Sequence, residues 1–452
     1  MSVGLRTCLG RSAAAALWLL GAAWTAHGES LGPLNDSDVQ LEPVAWTDLD
    51  GWTADDHAAA FRTFLISCKP FLARKRVSDT RPIYAALWGV CKRAANASQL
   101  GDDKAKARAF FEKYFRPMRI AKLGESTGLL TGYFEPVVDG SRLPNPEFHT
   151  PLYRRPRDLV AAGQKPGNPE FPNRGMVGRL NGKKQIEPYY DRGAIEGGAL
   201  DGKKLEIAWL KDPFEALSIQ IQGSARVKLE DGTTLRINYD GHNGYSYTAV
   251  GRILIERKLV PREEMSMDRI RQWMATHPDQ APELRATNKS FVFFRITGLS
   301  DDGEPPGAQG VPLTPGRSIA VDKLHVYGTP FFIEADLPIE SAKATTKFRR
   351  LMVAQDTGSA ITGPARADLY WGAGDEAGRI AGRIRQQGRF VMLLPRELDP
   401  VEAGKEMPLP PPKPVITEDG PDAKLPADRP PVKKSRKQSE RATTAKSKAR
   451  RG

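Results

Sequence analysis

From about Leu129 onward the chain runs in short apolar segments of β type, cut every few residues by Gly, Asp, Asn or Pro. Ala216–Gln222, Thr234–Tyr239, Phe291–Phe294 and Phe331–Glu334 each read as a strand, by alternation or by their share of β-branched and aromatic residues. Such strands cannot bury their apolar faces one at a time, so they must close into a barrel or stack into a sandwich. A helical interlude is predicted over about Tyr247–Thr276, where Val250, Ile253, Leu254, Met265, Ile270 and Met274 supply an apolar face. Before the β region, Trp52–Leu123 carries helical periodicity, with Ala58, Phe61, Phe64 and Leu65 at three- and four-residue steps and Ala86, Val90 and Ala94 repeating them. The fold class is therefore mainly β with N-terminal helices, and no internal repeat is visible.

The two ends read differently. Arg6 and Arg11 precede the apolar run Ala13–Trp24, and the small residues Ala26 and Gly28 follow it, which is the layout of a secretory signal peptide. The run is shorter than the ~20 apolar residues that span a bilayer. The only early cysteine, Cys8, lies before the apolar run, so no lipid-accepting cysteine follows it. Export into an extracytoplasmic space is expected, with cleavage near Gly28. At the other end, residues 402–452 hold 13 Lys and Arg against 7 Asp and Glu, a net +6 of the chain's +13. That segment is rich in Pro and nearly free of aromatic and β-branched residues, so burial cannot offset its ordering entropy. A disordered basic tail is expected, with a possible electrostatic contact to an anionic membrane or wall surface; nucleic acid is not expected as a partner of an exported chain.

Beyond Cys8 the only thiols are Cys68 and Cys91. A disulfide and two buried free thiols are both open for that pair. Two cysteines and six histidines leave little for a metal site, and neither a metal nor another cofactor is expected.

Three segments place polar groups where a strand pattern breaks. Leu130–Pro136 contains Thr131, Tyr133 and Glu135 beside a turn, a candidate saccharide wall because sugar faces stack on rings and hydroxyls need polar partners. Ile219–Ser224 alternates Gln220 and Gln222 with isoleucines, which on a strand would put both amides on one face. His242, in a Gly/Asn-rich loop, is a weak acid–base candidate with no assignable partner. The third segment carries Asp356 and Asp368, twelve residues apart around a Gly-rich turn. A chain that doubles back over that distance can bring two carboxylates into one site, as acid–base work on a glycosidic bond requires. Asp356 directly precedes Thr-Gly and suits a turn-fixing role, with Asp368 as the chemical candidate, but spacing does not separate the two.

Taken together, Thr131–Pro136, Ile219–Ser224, Phe291–Phe294, Ser318–Asp322, Gln355–Ile361 and Ala367–Gly372 resemble, in order, the membrane-bound lytic murein transglycosylase A family with its C-terminal module of three aspartates. The resemblance implies a double-psi β-barrel domain with an inserted smaller β-barrel domain and a glycan groove between them. On that reading residues 1–28 are the signal peptide and 29–137 hold the helical part and first barrel strands. Residues 138–285 form the inserted domain, 286–398 complete the barrel, and 399–452 are the tail. The three aspartates fall on Asp322, Asp356 and Asp368; Asp368 matches the family's catalytic acid, Asp356 stands close by, and Asp322 supports the barrel.

The implied activity is cleavage of the β-1,4 bond between N-acetylmuramic acid and N-acetylglucosamine, with closure of a 1,6-anhydro ring in place of hydrolysis. Thr131, Tyr133, Gln222, Gly223 and Tyr370 are the expected substrate contacts, peptidoglycan strands the partner, and a periplasmic monomer the working form. Two features depart from the family pattern: the missing lipid-accepting cysteine, and Val326-Tyr327-Gly328-Thr329 where relatives often have Pro-Leu-Gly-Thr. Two rival readings are a hydrolase that pairs Asp368 with Asp356 or Glu135, and a wall-binding protein without catalysis.

Overall fold

The computed structural model describes residues 38–73, 79–161, 177–183, 185–299 and 301–401, so the expected signal peptide and basic tail lie outside the described residues. The chain opens with β1 (Val39–Pro43), α1 (His57–Ala73), α2 (Pro82–Ala95), α3 (Lys104–Tyr114), β2 (Phe115–Lys122), β3 (Gly128–Glu135) and β4 (Val137–Gly140). A second stretch holds β5 (Thr150–Tyr153), β6 (Leu159–Ala161), β7 (Val177–Leu180), β8 (Ile186–Glu187), β9 (Glu206–Leu210), α4 (Pro213–Gln222), β10 (Ser224–Leu229) and β11 (Thr234–His242). It ends with α5 (Val250–Glu256), α6 (Met267–Thr276), α7 (Ala281–Thr287) and β12 (Val292–Gly298). The last stretch is β13 (Ser318–Val321), β14 (Pro330–Leu337), β15 (Thr346–Asp356), β16 (Arg366–Ala373), α8 (Gly374–Ala381) and β17 (Arg385–Pro395).

Six strands close into a barrel in the order β3, β16, β13, β15, β14, β17 and back to β3. The β3/β16 and β13/β15 contacts are parallel and the other four antiparallel. Five of these strands follow Arg317 and one precedes Pro136, so the second stretch leaves the barrel and returns to it. Its own strands form a four-stranded sheet, β12-β11-β10-β4, with the β5/β9 pair and a small β6-β7-β8 sheet beside it.

The N-terminal helices cover the barrel. Phe61, Phe64, Cys68 and Phe71 recur at helical steps along α1, all 2% exposed or less, and belong to one core with the barrel residues Ile319, Phe331, Leu351 and Leu369. Each such phenylalanine stabilises by roughly 1.5–3 kcal/mol. Cys68 and Cys91 are joined as a disulfide that ties α1 to α2. Below the barrel, Arg317 makes a two-pronged ion pair with Asp55 (2.9 and 2.8 Å), and both side chains are buried.

One expected strand is a helix. Ala216–Gln222 lies in α4, which starts at Pro213 with the Asp212 carboxylate accepting from the Phe214 and Glu215 amides, and stops where Gly223 turns to φ +87°. The alternation that suggests a strand has another cause. Phe214 and Leu217 pack into a cluster with α5, α6 and α7, whereas Ala216 and Ile219 pack against the four-stranded sheet. A helix buried on two sides shows apolar residues nearly all round, and its 3.6-residue period disappears.

Candidate functional site

Strand register builds the site. Asp356 on β15 stands opposite Ala320 on β13, Ala320 opposite Asp368 on β16, and Asp368 opposite Thr131 on β3. Neighbours in a sheet share a face and lie about 4.8 Å apart, so the two aspartates flank a single small side chain. Ala320 is buried between them, packed with Tyr133, Tyr370, Leu313 and Ile361. Period two sorts the rest: Leu130, Ala367 and Leu369 enter the core, while Thr131 and Tyr133 on β3 and Arg366, Asp368 and Tyr370 on β16 turn to the other face. On β3, Gly132 lets α8 approach, because a Cβ there would lie 2.7 Å from the Ala381 Cα.

The two carboxylates differ in how they are held. Asp356 accepts three hydrogen bonds: from the amides of Ala308 (2.8 Å) and Thr357 (2.9 Å) on Oδ1, and from the Tyr133 hydroxyl (2.9 Å) on Oδ2. Asp368 accepts one, from the Thr131 hydroxyl (2.6 Å) on Oδ1; its Oδ2 has no hydrogen-bond partner among the described residues. Arg366 donates to the same Thr131 oxygen (2.8 Å). Burial raises both carboxyls above the ordinary Asp range. For Asp368 the Thr131 bond and the Arg366 charge pull the other way; for Asp356 the two amides and Tyr133 do so, and the charge of Asp368 adds to the rise. A carboxyl with a raised pKa, one oxygen fixed and the other free can give up a proton and take one back on a single side.

The other expected contacts are distributed around this row. Gln222, at the end of α4, accepts from the Phe134 amide (3.1 Å) and so docks the helix end onto β3, with Gly223 at the open rim. Gln220 points elsewhere, buried and accepting from Arg192 (2.6 Å), because two residues along a helix turn the side chain by about 200°. The expected pair of amides on one face is therefore not present. Tyr370, expected to touch sugar, is fully buried; it packs on Tyr133 at 5.2 Å and donates to Glu304 (2.6 Å), so it backs the Tyr133 ring. Thr131 has its hydroxyl taken up by Asp368 and Arg366. Asp322 accepts from the Leu324 amide (2.9 Å) and the Gly363 amide (2.6 Å), clamping the turn that leads into β16. Glu135 is buried and bound to Arg226 (2.8 Å). His242 accepts from the Gly244 amide and makes no hydrogen bond to either aspartate.

Arg366, Glu304 and Ala308 were not singled out by the sequence. Arg366 carried a readable signal, since two residues before Asp368 on a strand is the same face. Glu304 and the Ala308 amide sit in a loop whose return to the barrel has no local signature.

Two family models match the chain, the first beginning within β3. Residues 129–295 match the family model of the MltA specific insert domain, and residues 317–394 match that of the 3D domain. The membrane-bound lytic murein transglycosylase A of Vibrio cholerae is 33% identical over 286 residues, 62% of this chain and 68% of that protein. The crystal structure of a membrane-bound lytic murein transglycosylase from Agrobacterium tumefaciens superposes with a TM-score of 0.70 at 34% identity, over 81% of this chain and 99% of the other. That of E. coli MltA with bound chitohexaose gives 0.57 at 27% identity, over 80% and 93%.

Proposed function

Since the chain belongs to the membrane-bound lytic murein transglycosylase A family, and is therefore a lytic murein transglycosylase, we propose that a single residue, Asp368, performs both proton transfers of a cleavage that uses no water. The bond broken is the β-1,4 link between N-acetylmuramic acid and N-acetylglucosamine. Asp368 gives the proton on its free Oδ2 to the leaving glycosidic oxygen as the bond to C1 breaks. The same carboxylate then takes the proton of the muramoyl C6 hydroxyl as O6 bonds to C1. Ring closure returns the proton to Asp368, so atoms and charge balance without a second base.

The observation that carries this reading is the asymmetry of the two aspartates. A hydrolase needs a second carboxylate free to activate water. Here Asp356 is occupied by three donors and Glu135 is buried against Arg226, which leaves one open carboxyl oxygen in the row. Burial raises the Asp368 pKa, which favours the protonated form the first step needs. The Gln222–Gly223 corner, with the edge of Tyr133 that its 8% exposure leaves open, forms the wall we assign to the glycan, and the chitohexaose in the E. coli relative supports a sugar chain as its occupant. Thr131 serves the acid and is not assigned to the sugar. An envelope location fits the membrane-bound relatives, and no helix among the described residues is long and apolar enough to cross a membrane.

The test is digestion of purified murein sacculi followed by mass spectrometry. The native protein is expected to release anhydromuropeptides, and Asp368→Asn to bind sacculi and release none. Products carrying an added water would replace this reading with hydrolysis, and binding without any soluble product would replace it with a wall-binding role.

A further inference from the structure

Three groups lie in a line at the acid: Arg366, Thr131 and Asp368. The Arg366 Nη2 donates to Thr131 Oγ1 (2.8 Å), and Thr131 Oγ1 donates to Asp368 Oδ1 (2.6 Å). A guanidinium can only donate, so it occupies one of the two lone pairs of the threonine oxygen and keeps the hydroxyl proton off the Arg366 side, which favours its pointing at Asp368. Arg366 is itself held in place, with Nη1 donating to the Ala367 carbonyl (2.5 Å). Arg366 and Thr131 are 235 residues apart and meet because β16 and β3 pair in parallel.

We propose that Arg366 is a positioning residue which, acting through Thr131, selects Oδ2 as the oxygen of Asp368 that carries the transferred proton. This rests on Asp368 being the proton carrier. With Arg366 in place, Thr131 presents a proton to Oδ1, which favours Oδ1 as the carbonyl oxygen, the better acceptor of the two. The carboxyl proton then resides on Oδ2, the oxygen with no protein partner. Without Arg366 both lone pairs of the Thr131 oxygen are free, and the hydroxyl can turn to accept a proton from Oδ1. The acid is then held with its proton turned away from the open side. The Arg366 charge also lowers the pKa that burial raises, so release of the proton becomes easier. The other charged or titratable groups facing Asp368 are Asp356 across Ala320, Tyr133 on β3 and, one strand beyond Thr131, the exposed Arg385.

The relay is tested by the pH dependence of anhydromuropeptide release from sacculi, with kcat and KM measured separately for Arg366→Met, Arg366→Lys, Thr131→Val, Thr131→Ser and Arg366→Met/Thr131→Val. Arg366→Met and Thr131→Val are each expected to lower kcat roughly 10- to 100-fold at unchanged KM. In both, the limb on which activity falls with rising pH should move to higher pH, because each change removes a contact that lowers the Asp368 pKa. Thr131→Ser, which keeps the hydroxyl, should restore most of the rate, and Arg366→Lys, which keeps the charge, should hold the limb near its native position. The double variant should lose little beyond Thr131→Val alone, only the part that comes from the Arg366 charge acting directly on Asp368. Losses that multiply in the double variant would overturn the proposal, as would an Arg366→Met enzyme with nearly native kcat or an unmoved limb. If Arg366→Met fails to fold, the Thr131→Val and Thr131→Ser pair decides on the same two readouts. Asp368→Asn separates the layers: if it is inactive while Arg366→Met is not, only the relay fails, whereas an active Asp368→Asn removes the acid assignment itself.

Discussion

Asp55, just before α1, and Asp368, on barrel strand β16, are both aspartates held against the barrel, and they are treated in opposite ways. Asp55 receives four donors: two from Arg317, one from the Leu351 amide (2.7 Å) and one from the Asp56 amide (2.7 Å). Its charge is matched and both oxygens are filled, which makes it a joint between the N-terminal segment and the start of β13. Asp368 has one donor, no direct cation and a free oxygen. A carboxylate whose oxygens are all in use can only hold its neighbours in place; burial with a single donor raises the Asp368 pKa and leaves that carboxyl able to exchange a proton. The contrast separates acids that hold this fold from the acid assigned to its chemistry.

The widest separation should come from removing each charge in turn. Asp368→Asn is expected to lose at least 10³-fold in rate while remaining folded. Its stability follows from the direction of the shift. An acid whose folded pKa lies above its unfolded value weakens the fold as pH rises from the unfolded pKa through the folded one, and burial raises Asp368 in this sense. The asparagine variant escapes that loss, so at neutral pH thermal unfolding should show it at least as stable as the native protein. Asp55→Ala should do the reverse. Leaving Arg317 buried without its partner costs about 3–5 kcal/mol, seen as a fall in the denaturant midpoint, while the fraction that remains folded keeps its turnover. An Asp55→Ala protein of native stability and lowered kcat would dissolve the distinction.

The disulfide gives a smaller effect on the same axis. Cys68 and Cys91 are 23 residues apart, and a loop of that size contributes roughly 3 kcal/mol by restricting the unfolded chain. Cys68→Ser/Cys91→Ser should lower the melting temperature and leave kcat unchanged, since among the described residues no side-chain hydrogen bond of Asp356, Asp368 or Thr131 is to α1 or α2.

How far the sequence revealed these roles depends on the range of the signal. The helices of the N-terminal part and the strands at Thr234, Phe291 and Phe331 follow from local periodicity and appear where expected, except that Phe115–Lys122, inside the stretch read as helical, is strand β2. The α4 segment misled because its helix serves two cores, although Asp212-Pro213 before it and Gly223 after it were capping signals in plain view. The spacing of Asp356 and Asp368 suggested a shared site, but not that Ala320 stands between them, because that row is set by crossovers joining β13, β15 and β16. The same limit hid Asp55–Arg317, whose members are 262 residues apart. It also hid the difference in hydrogen bonding between the two aspartates, which depends on the Ala308 amide and on Tyr133 arriving from distant segments.

Asp356 lies between the two extremes, and Tyr133→Phe tests to which it belongs. The three donors on Asp356 resemble those on Asp55, but no cation contacts it and burial raises its pKa. The phenylalanine variant keeps the ring against Tyr370 and removes one donor, so Asp356 should shift further upward. Losing a hydrogen bond of this kind costs about 1 kcal/mol, and only while Asp356 is ionised. The stability gap between native and Tyr133→Phe should therefore be full at pH values above the variant's Asp356 pKa and close as the pH falls below the native one. Urea titrations across that range measure it, and kcat at neutral pH should drop only a few-fold. A gap that narrows at low pH shows that Asp356 is ionised above that range and that Tyr133 helps hold it, a structural role like that of Asp55. A gap independent of pH shows that Asp356 does not change charge with this contact, and a rate loss as large as that of Asp368→Asn would make Asp356 a second participant in the chemistry.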